Sequence, residues 1–201
     1  MSEYDRWQAR YAVPDYIFGE APNAFLAAQK HLLPKTGKVL AVADGEGRNG
    51  VWLAEQGLDV TSIDFSPVAQ EKARALAAKR GVYVDFQCAD VHAWPYPDSA
   101  YDIVVEIFTQ FSDPAQRPLK WAGMKKALKP GGLLLLEGYT PRQLEYGTGG
   151  PKALDHLYTR EMLEEAFGGF SVIDIKAYDT RMAEGTAHAG MAAVIDLIGR
   201  K

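Results

Sequence analysis

The stretch VLAVADGEGRNG, residues 39–50, decides the fold that this sequence predicts. A run of apolar residues ends at Ala43, and glycines at positions 45 and 47 lead into a segment with helical spacing. Glycine lets the backbone approach a ligand closely, and the first turn of a helix offers unpaired N–H groups to an anionic group. The stretch therefore predicts a buried strand, a tight turn and a helix, with a ligand site at the turn.

Strand and helix patterns alternate along the rest of the chain. Apolar and β-branched runs predict strands at 38–43, 60–65, 84–90, 101–108 and 133–139, and helices are predicted at 48–56, 67–80, 113–128 and 159–167. Because parallel neighbours need crossover connections, this alternation predicts an α/β fold with a mostly parallel sheet. The last two β-rich segments, 171–182 and 189–198, have no helix between them and predict an antiparallel hairpin at one edge.

Composition indicates one globular domain over residues 1–201. Of the 201 residues, 47% are hydrophobic and 24% are charged, and no linker or repeat divides them. The net charge of −4 gives no broad attraction for nucleic acid or for an anionic membrane. Cys88 is the single cysteine, so neither a disulfide within the chain nor a cysteine-rich zinc site is expected, and no metal is assigned. With no run of about 18 apolar residues, we expect a soluble, cytoplasmic protein.

Acidic residues at the strand ends extend the predicted site. Asp64 ends the second strand, where a carboxylate can hydrogen-bond ribose hydroxyls. Asp90 ends the third strand and can accept a hydrogen bond from an adenine amine, while Val91 packs on the ring. Glu106, Ile107 and Phe108 end the fourth strand at the expected lip of the same pocket, where Ile107 and Phe108 are either lip residues or part of the core.

The charge of the glycine turn separates two cofactor classes. Residues 45–50 spell G-x-G-x-x-G, which also fits the dinucleotides NAD and NADP. Asp44 and Glu46 lie in the turn, however, where they would repel a pyrophosphate. S-adenosylmethionine (SAM) carries a positive ammonium and a positive sulfonium, so the acidic turn favours SAM.

At these residues the sequence resembles the class I SAM-dependent methyltransferases, particularly small bacterial proteins of a tellurite-resistance-like branch. The resemblance covers essentially the whole chain. It implies a Rossmann-like, seven-stranded sheet of order 3-2-1-4-5-7-6 with the seventh strand antiparallel, SAM as the cofactor, and an N-terminal helical cover over about 1–35. The matching pieces are WQARY (7–11), YIFG (16–19), DGEGRN (44–49), Asp64, Asp90, KPGG (129–132), EGY (137–139) and YGTGGP (146–151).

The chain departs from the family's glycine loop at two positions. The family commonly carries an acidic residue where this chain has Ala41, and a glycine where it has Ala43. We therefore expect an altered contact to the methionine end of SAM. The residues assigned to the cofactor are Asp44, Gly45, Glu46, Gly47, Arg48, Asn49, Asp64, Phe65, Asp90, Val91, Glu106 and Ile107.

The candidate substrate residues lie near the N-terminus and after the fifth strand. Tyr4, Trp7 and Tyr11 share one face of a predicted helix, either as an aromatic lid or as ordinary helix packing. Arg10 is placed either beside an anionic substrate or in a surface salt bridge. The segment 140–156 follows a strand end, where open α/β sheets bind ligands. The substrate candidates are Trp7, Tyr11, Tyr139, Arg142, Tyr146 and His188, whereas Lys120, Lys125, Lys126 and Lys129 are predicted to form a solvated face.

These residues predict SAM-dependent methyl transfer to a small-molecule acceptor. The segment after the fourth strand, EIFTQF (106–111), lacks the Asn/Asp-Pro-Pro-aromatic signature of DNA amine methyltransferases, so no nucleic-acid partner is expected. No residue is assigned as catalytic, but an alcohol or amine acceptor would need a base, for which His188 or a neighbouring tyrosine is the first candidate. The alternatives are a noncatalytic SAM-binding module and an NAD(P)-dependent oxidoreductase. The protein is expected to be a monomer or a homodimer.

Overall fold

One seven-stranded sheet runs through the chain in the computed structural model, which describes residues 3–201. Its strands are β1 (Lys38–Val42), β2 (Asp59–Asp64), β3 (Asp85–Cys88), β4 (Tyr101–Ile107), β5 (Leu128–Tyr139), β6 (Val172–Glu184) and β7 (His188–Arg200). Their order is β3-β2-β1-β4-β5-β7-β6, with β1 to β5 parallel and β7 antiparallel to both of its neighbours. The predicted α/β fold, its strand order and its terminal hairpin are confirmed.

Seven α-helices occur between residues 3 and 201: α1 (Glu3–Tyr11), α2 (Ala24–Ala28), α3 (Arg48–Glu55), α4 (Pro67–Arg80), α5 (Arg117–Ala127), α6 (Gln143–Tyr146) and α7 (Arg160–Phe167). Local sequence sets the bounds of α4, because the Ser66 side chain caps its first turn and Gly81 adopts a left-handed conformation at its end. The predicted cover over 1–35 includes α1 and α2, while its first residues, Met1 and Ser2, lie outside the described residues.

Two boundaries differ from the sequence-based prediction. Helix α5 begins at Arg117 rather than at Asp113, because the Asp113 carboxylate caps a turn by accepting the N–H groups of Ala115 and Gln116 at 2.8 Å. Strand β5 begins at Leu128, whereas the predicted strand began at residue 133, so β5 also includes the segment 129–132. That segment stays in the sheet because the Gly131 N–H donates to the carbonyl of Lys201 at 2.7 Å.

Apolar side chains cover both faces of the sheet. Along β1, Val39 and Ala41 pack on the side of α2, α3 and α4, whereas Leu40 and Val42 pack on the side of α5 and α7. This alternation is the period-2 pattern of a strand buried on both faces. The central strands are therefore shielded from water on both faces, and the carboxyl-terminal ends of the strands remain accessible for a site.

No helix within residues 3–201 is long and apolar enough to cross a membrane. In the same part of the chain, no group of His, Cys, Asp and Glu side chains has the arrangement of a metal site.

Candidate active site

The turn between β1 and α3 has the left-handed backbone that its glycines allow. Gly45 has φ +57° and Gly47 has φ +82°. Gly47 packs so closely that a Cβ there would lie 2.6 Å from the Cβ of Ala73 on α4. Ala43 has φ +50°, a backbone conformation that favours glycine. This conformation explains why the family commonly has a glycine at this position.

Asp64 lies at the floor of the turn, almost fully buried at the end of β2. Its two carboxylate oxygens accept the backbone N–H groups of Gly45 and Ser66, each at 2.8 Å. Each oxygen keeps one lone pair for a further donor, such as a ribose hydroxyl. The carboxylate thus shapes the turn and still has capacity to bind a diol.

Asp44 is held inside the turn. It accepts the Gly50 N–H at 3.1 Å and the Ser62 hydroxyl at 3.0 Å, and a Cβ on Gly50 would lie 2.4 Å from its Oδ2. Burial raises the pKa of Asp44 to about 7, with the two hydrogen bonds opposing this rise. Burial likewise raises the pKa of Asp64 to about 6.

Asp44→Asn is expected to gain stability relative to the native chain as the pH rises from 5 to 8. The unfolded Asp44 ionises near its ordinary value of about 3.9, whereas the folded group holds its proton until about pH 7. Its contribution to stability is therefore complete below about pH 4 and is lost as the pH rises through 7. Thermal unfolding of both proteins over this range measures the difference.

Asp102→Asn is the control for this comparison. The hydrogen bonds from Lys129 and Lys38 lower the pKa of Asp102, so its contribution changes only at acidic pH. Parallel melting-temperature curves for the native chain and Asp44→Asn between pH 5 and 8 would contradict the assigned Asp44 ionisation.

Three polar side chains of the turn region hold the cover segment, which we define as residues 3–23. Arg48 donates to the carbonyl of Phe18 at 3.1 Å, and the Asn49 side chain accepts the Asn23 N–H at 2.9 Å. Glu46 pairs with Lys72 at 2.8 Å. Lys72 in turn donates to the carbonyl of Asp15 at 2.7 Å. All three were predicted cofactor residues, and the structure shows them occupied by contacts within the protein.

The tip of the β6–β7 hairpin closes over the same segment. Glu184 pairs with Arg48 at 2.7 Å, and the Ala187 N–H donates to the carbonyl of Ile17 at 2.9 Å. Gly185 fits against this part of the cover so tightly that a Cβ would lie 2.4 Å from the Ile17 carbonyl oxygen. The cover segment and the hairpin tip are thus one packed unit above the turn.

Two cavities lie at this edge of the sheet. The smaller, about 60 Å³, lies over the β1–α3 turn and is lined by Trp7, Tyr11, Phe18, Ala41–Glu46, Arg48, Asn49, Asp64, Phe65, Val105, Ile107, Phe108, Thr109, Phe111 and His188. The larger, about 540 Å³, extends toward Tyr139 and residues 150–153. The turn cavity is small because the cover is packed onto it, and a Cβ on Gly45 would lie 2.7 Å from the Tyr11 hydroxyl.

Five side chains line both cavities: Trp7, Phe18, Phe108, Phe111 and His188. The His188 ring lies 4.5 Å from Phe18 and 4.6 Å from Phe108, between ring centroids. Its Nδ1 is buried with no partner at hydrogen-bond distance, although the Glu184 carboxylate lies 3.9 Å away, and Nε1 of Trp7 is also buried without a partner. Buried polar atoms of this kind normally have a partner, so these two atoms point to a ligand between the cavities.

Several predicted residues lie outside the turn cavity. Gly47 serves packing, Val91 is in the core, and the Asp90 carboxylate contacts His92, with Oδ1 2.9 Å from the His92 N–H. Arg142 is exposed and pairs with Asp179 at 2.7 Å. Tyr146 and Arg142 line neither cavity, and Tyr139 lines the larger one.

Glu106 also departs from its predicted place at the lip. It is fully buried on the α5 side of the sheet, where Lys120 Nζ lies 2.7 Å from its Oε1 and Trp121 donates to its Oε2 at 2.9 Å. Because successive side chains of a strand point to opposite faces, Glu106 points to the α5 side of the sheet and Ile107 lines the turn cavity. The prediction that Lys120 belongs to a solvated face is wrong for the same reason, because it is the buried counterion of Glu106.

The sequence reasoning missed several cavity residues. Phe18, Phe111 and Gln110 come from loops, where no periodic pattern marks a side chain as facing a cavity. Phe18 lies in the YIFG segment of the family resemblance, which was the one available signal. Phe108, in contrast, was predicted at the lip of the pocket and lines both cavities, while its φ of +55° is a backbone strain that a sequence does not display.

Residues 39–132 match the family model described as a methyltransferase domain. A demethylmenaquinone methyltransferase of Thermus thermophilus is 34% identical over 106 residues, which are 52% of this chain and 48% of that protein. A probable chloroplastic tocopherol O-methyltransferase of Oryza sativa is 30% identical over 148 residues, which are 72% of this chain and 39% of that protein. The chain thus spans about half or less of the length of these relatives.

Solved structures share the fold. The N-methyltransferase NodS of Bradyrhizobium japonicum, solved in complex with S-adenosylhomocysteine, superposes with a TM-score of 0.70 at 16% identity over 98% of this chain and 97% of that one. The matched segment 39–132 contains the glycine turn, Asp64 and four parallel strands of the observed sheet. The match over residues 39–132 and the shared fold show that the chain is similar to proteins with a methyltransferase domain.

Proposed function

We propose that the protein transfers a methyl group from SAM to a small-molecule acceptor, with the cofactor at the glycine turn and the acceptor in the larger cavity. The observation that carries this proposal is that the two cavities share a wall of four aromatic residues and His188. A methyl group passing between two bound molecules needs such a junction, closed to water and lined by groups that hold both reactants.

The residues of the turn cavity fit SAM. Asp64 has lone pairs left for the ribose hydroxyls, Phe65 and Ile107 offer apolar surface, and Asp44 is an acidic group for the ammonium. When bound, SAM supplies an electrophilic methyl group on a sulfonium, whose positive charge the aromatic faces of the shared wall favour. Family members commonly carry an acidic residue where this chain has Ala41, and we propose that Asp44 takes over its role. The contacts of Asp44 with Gly50 and Ser62 hold its carboxyl group in the turn.

His188 is the group that we propose as the base for the acceptor's proton. It is buried among aromatic rings, and this burial lowers the pKa of the imidazole, with the neighbouring Glu184 carboxylate opposing the shift and the charge of Arg48 adding to it. The ring is therefore neutral at physiological pH and can accept a proton from a hydroxyl or an amine, and the Glu184 carboxylate, 3.9 Å from Nδ1, would stabilise the imidazolium that forms.

Small organic acceptors are supported by two relatives whose names include demethylmenaquinone and tocopherol. The finer likeness to a tellurite-resistance-like branch, the cytoplasmic location, the absence of a nucleic-acid partner and the monomeric or homodimeric state stay predictions. A noncatalytic SAM-binding protein is the alternative, since Ala41 and Ala43 depart from the family loop.

Thermal unfolding with SAM, S-adenosylhomocysteine, NAD and NADP tests the cofactor. A ligand at 100 times its dissociation constant stabilises the fold by about 2.7 kcal/mol, which raises the melting temperature by several degrees. We expect this shift with SAM and S-adenosylhomocysteine alone. A shift with NAD or NADP would instead support an oxidoreductase, and binding of SAM without methyl transfer to any acceptor would support the noncatalytic module.

Asp64→Asn is expected to weaken S-adenosylhomocysteine binding by at least about tenfold, because an uncharged amide loses a charge-assisted hydrogen bond to the ribose. Isothermal titration calorimetry measures the affinity. The matched control is Asp102→Asn, since Asp102 also accepts a backbone N–H, that of Lys38 at 2.8 Å, at the opposite end of the sheet. Equal affinities for the native chain and Asp64→Asn would refute the ribose role of Asp64.

A further inference from the structure

The larger cavity has a shape and lining suited to a flat organic molecule. Its volume of about 540 Å³ lies within the usual range for small-molecule sites, roughly 300–1,000 Å³. Trp7, Phe18, Phe108, Phe111 and Tyr139 supply aromatic walls. The Phe108 and Tyr139 rings are 4.5 Å apart at an interplanar angle of 35°, so together they present a broad apolar surface. The wall favours an acceptor with an aromatic or similarly planar body.

The charged residues of this cavity are mostly cationic. Arg6, Arg10 and Lys152 line it, and Glu3 is its one acidic lining residue among 3–201. Glu3 is already paired with Arg6 at 2.7 Å. Two positive charges, on Arg10 and Lys152, thus have no matching negative charge in the lining.

Arg10 is the better placed of these two cations. Its guanidinium lies over the Trp7 ring at 4.9 Å and over the Phe18 ring at 5.4 Å, which fixes it at the aromatic wall. It has no ion pair with a carboxylate within residues 3–201. Its charge also adds to the lowering of the pKa of His188 and opposes the rise that burial causes in the pKa of Tyr139, so it acts on the inner part of the cavity as well.

We infer that the acceptor is a planar aromatic molecule with an anionic substituent, a carboxylate or a group of like charge, which pairs with Arg10 while the ring packs against Trp7 and Phe108. This inference rests on the proposed function, because it assigns the chemistry of the acceptor. It also accounts for the unpaired guanidinium, since a planar fork of N–H donors binds a carboxylate through two parallel hydrogen bonds.

Two probes that differ only in charge test the inference. Protein saturated with S-adenosylhomocysteine is titrated calorimetrically with 6-hydroxy-2-naphthoate and with its uncharged carboxamide. We expect the native chain to bind the carboxylate at least about tenfold more tightly than the amide, because the ion pair is made only with the former. Arg10→Gln is expected to reduce this ratio to less than about threefold.

Arg6→Gln is the matched control. It removes a cation from the same helix and the same cavity, but one that Glu3 already neutralises, so the tenfold ratio is expected to persist. The inference is overturned if the native chain does not distinguish the two probes, if Arg10→Gln keeps the full ratio, or if neither probe binds to protein that has bound S-adenosylhomocysteine. Failure to bind S-adenosylhomocysteine at all is a separate result, and it would overturn the proposed function itself.

Discussion

His188→Asn is expected to lower the rate constant for methyl transfer to a hydroxyl or amine acceptor by a factor of about 100 or more, the usual contribution of a positioned general base. The asparagine amide takes the place of Nδ1 but cannot accept a proton. S-adenosylhomocysteine affinity is expected to change by less than about threefold, because the wall of Phe18 and Phe108 stays in place. Single-turnover assays and calorimetry separate these two effects.

The pH dependence gives this prediction a signature that a packing defect would lack. The native rate is expected to fall on the acid side only below the ordinary histidine pKa of about 6.5, because burial lowers the pKa of His188. In His188→Asn that acid limb disappears, and the rate rises toward the native value above the pKa of the acceptor. His31→Asn, at a residue that lines neither cavity, is the control. A native rate and an unchanged acid limb in His188→Asn would show that His188 is not the base.

Lys120→Met is expected to destabilise the fold by about 3–5 kcal/mol, because it leaves the buried Glu106 carboxylate without its counterion. For a chain of this size the melting temperature should fall by about 10 °C. Three neutral donors remain on Glu106: Thr109 at 2.5 Å, Tyr158 at 2.8 Å and Trp121 at 2.9 Å. They satisfy its lone pairs but do not neutralise its charge.

Double substitution tests whether the charge is the cause. Lys120→Met combined with Glu106→Gln should recover most of the lost stability, since no buried charge then remains. Lys125→Met is the control, because Lys125 lies on the same helix and donates to a single carbonyl, that of Ala166 at 2.7 Å. Equal losses for Lys120→Met alone and for the double variant would indicate that the network is stabilised by packing rather than by charge.

The sequence predicted secondary-structure elements well where their bounds are set by interactions between neighbouring residues. Ser66, Pro67 and Gly81 fixed the bounds of α4 because a cap, a preset φ and a left-handed C-terminal residue act within one turn of helix. The strand order came from the family resemblance, since pairing between distant strands leaves no local mark. The glycine turn and Asp64 were likewise placed correctly at one edge of the sheet.

The errors concern side chains whose roles depend on distant partners. Lys120 was predicted to be solvated because its counterion, Glu106, precedes it by 14 positions on a different element. Arg48 and Asn49, predicted cofactor residues that line the turn cavity, also bind the cover segment and the hairpin tip, and only the folded chain creates these contacts. Arg142 pairs with Asp179 on β6 for the same reason.

The packed unit of cover segment and hairpin tip has a kinetic consequence. A turn cavity of about 60 Å³ lies far below the roughly 300 Å³ of an ordinary ligand site, so we expect the cofactor to enter only when Tyr11 moves away from Gly45. Entry requires the Arg48–Glu184 pair and the Phe18 contact to loosen first. We therefore expect cofactor association and release to be limited by this opening rather than by diffusion, and turnover to depend on how often the cover opens.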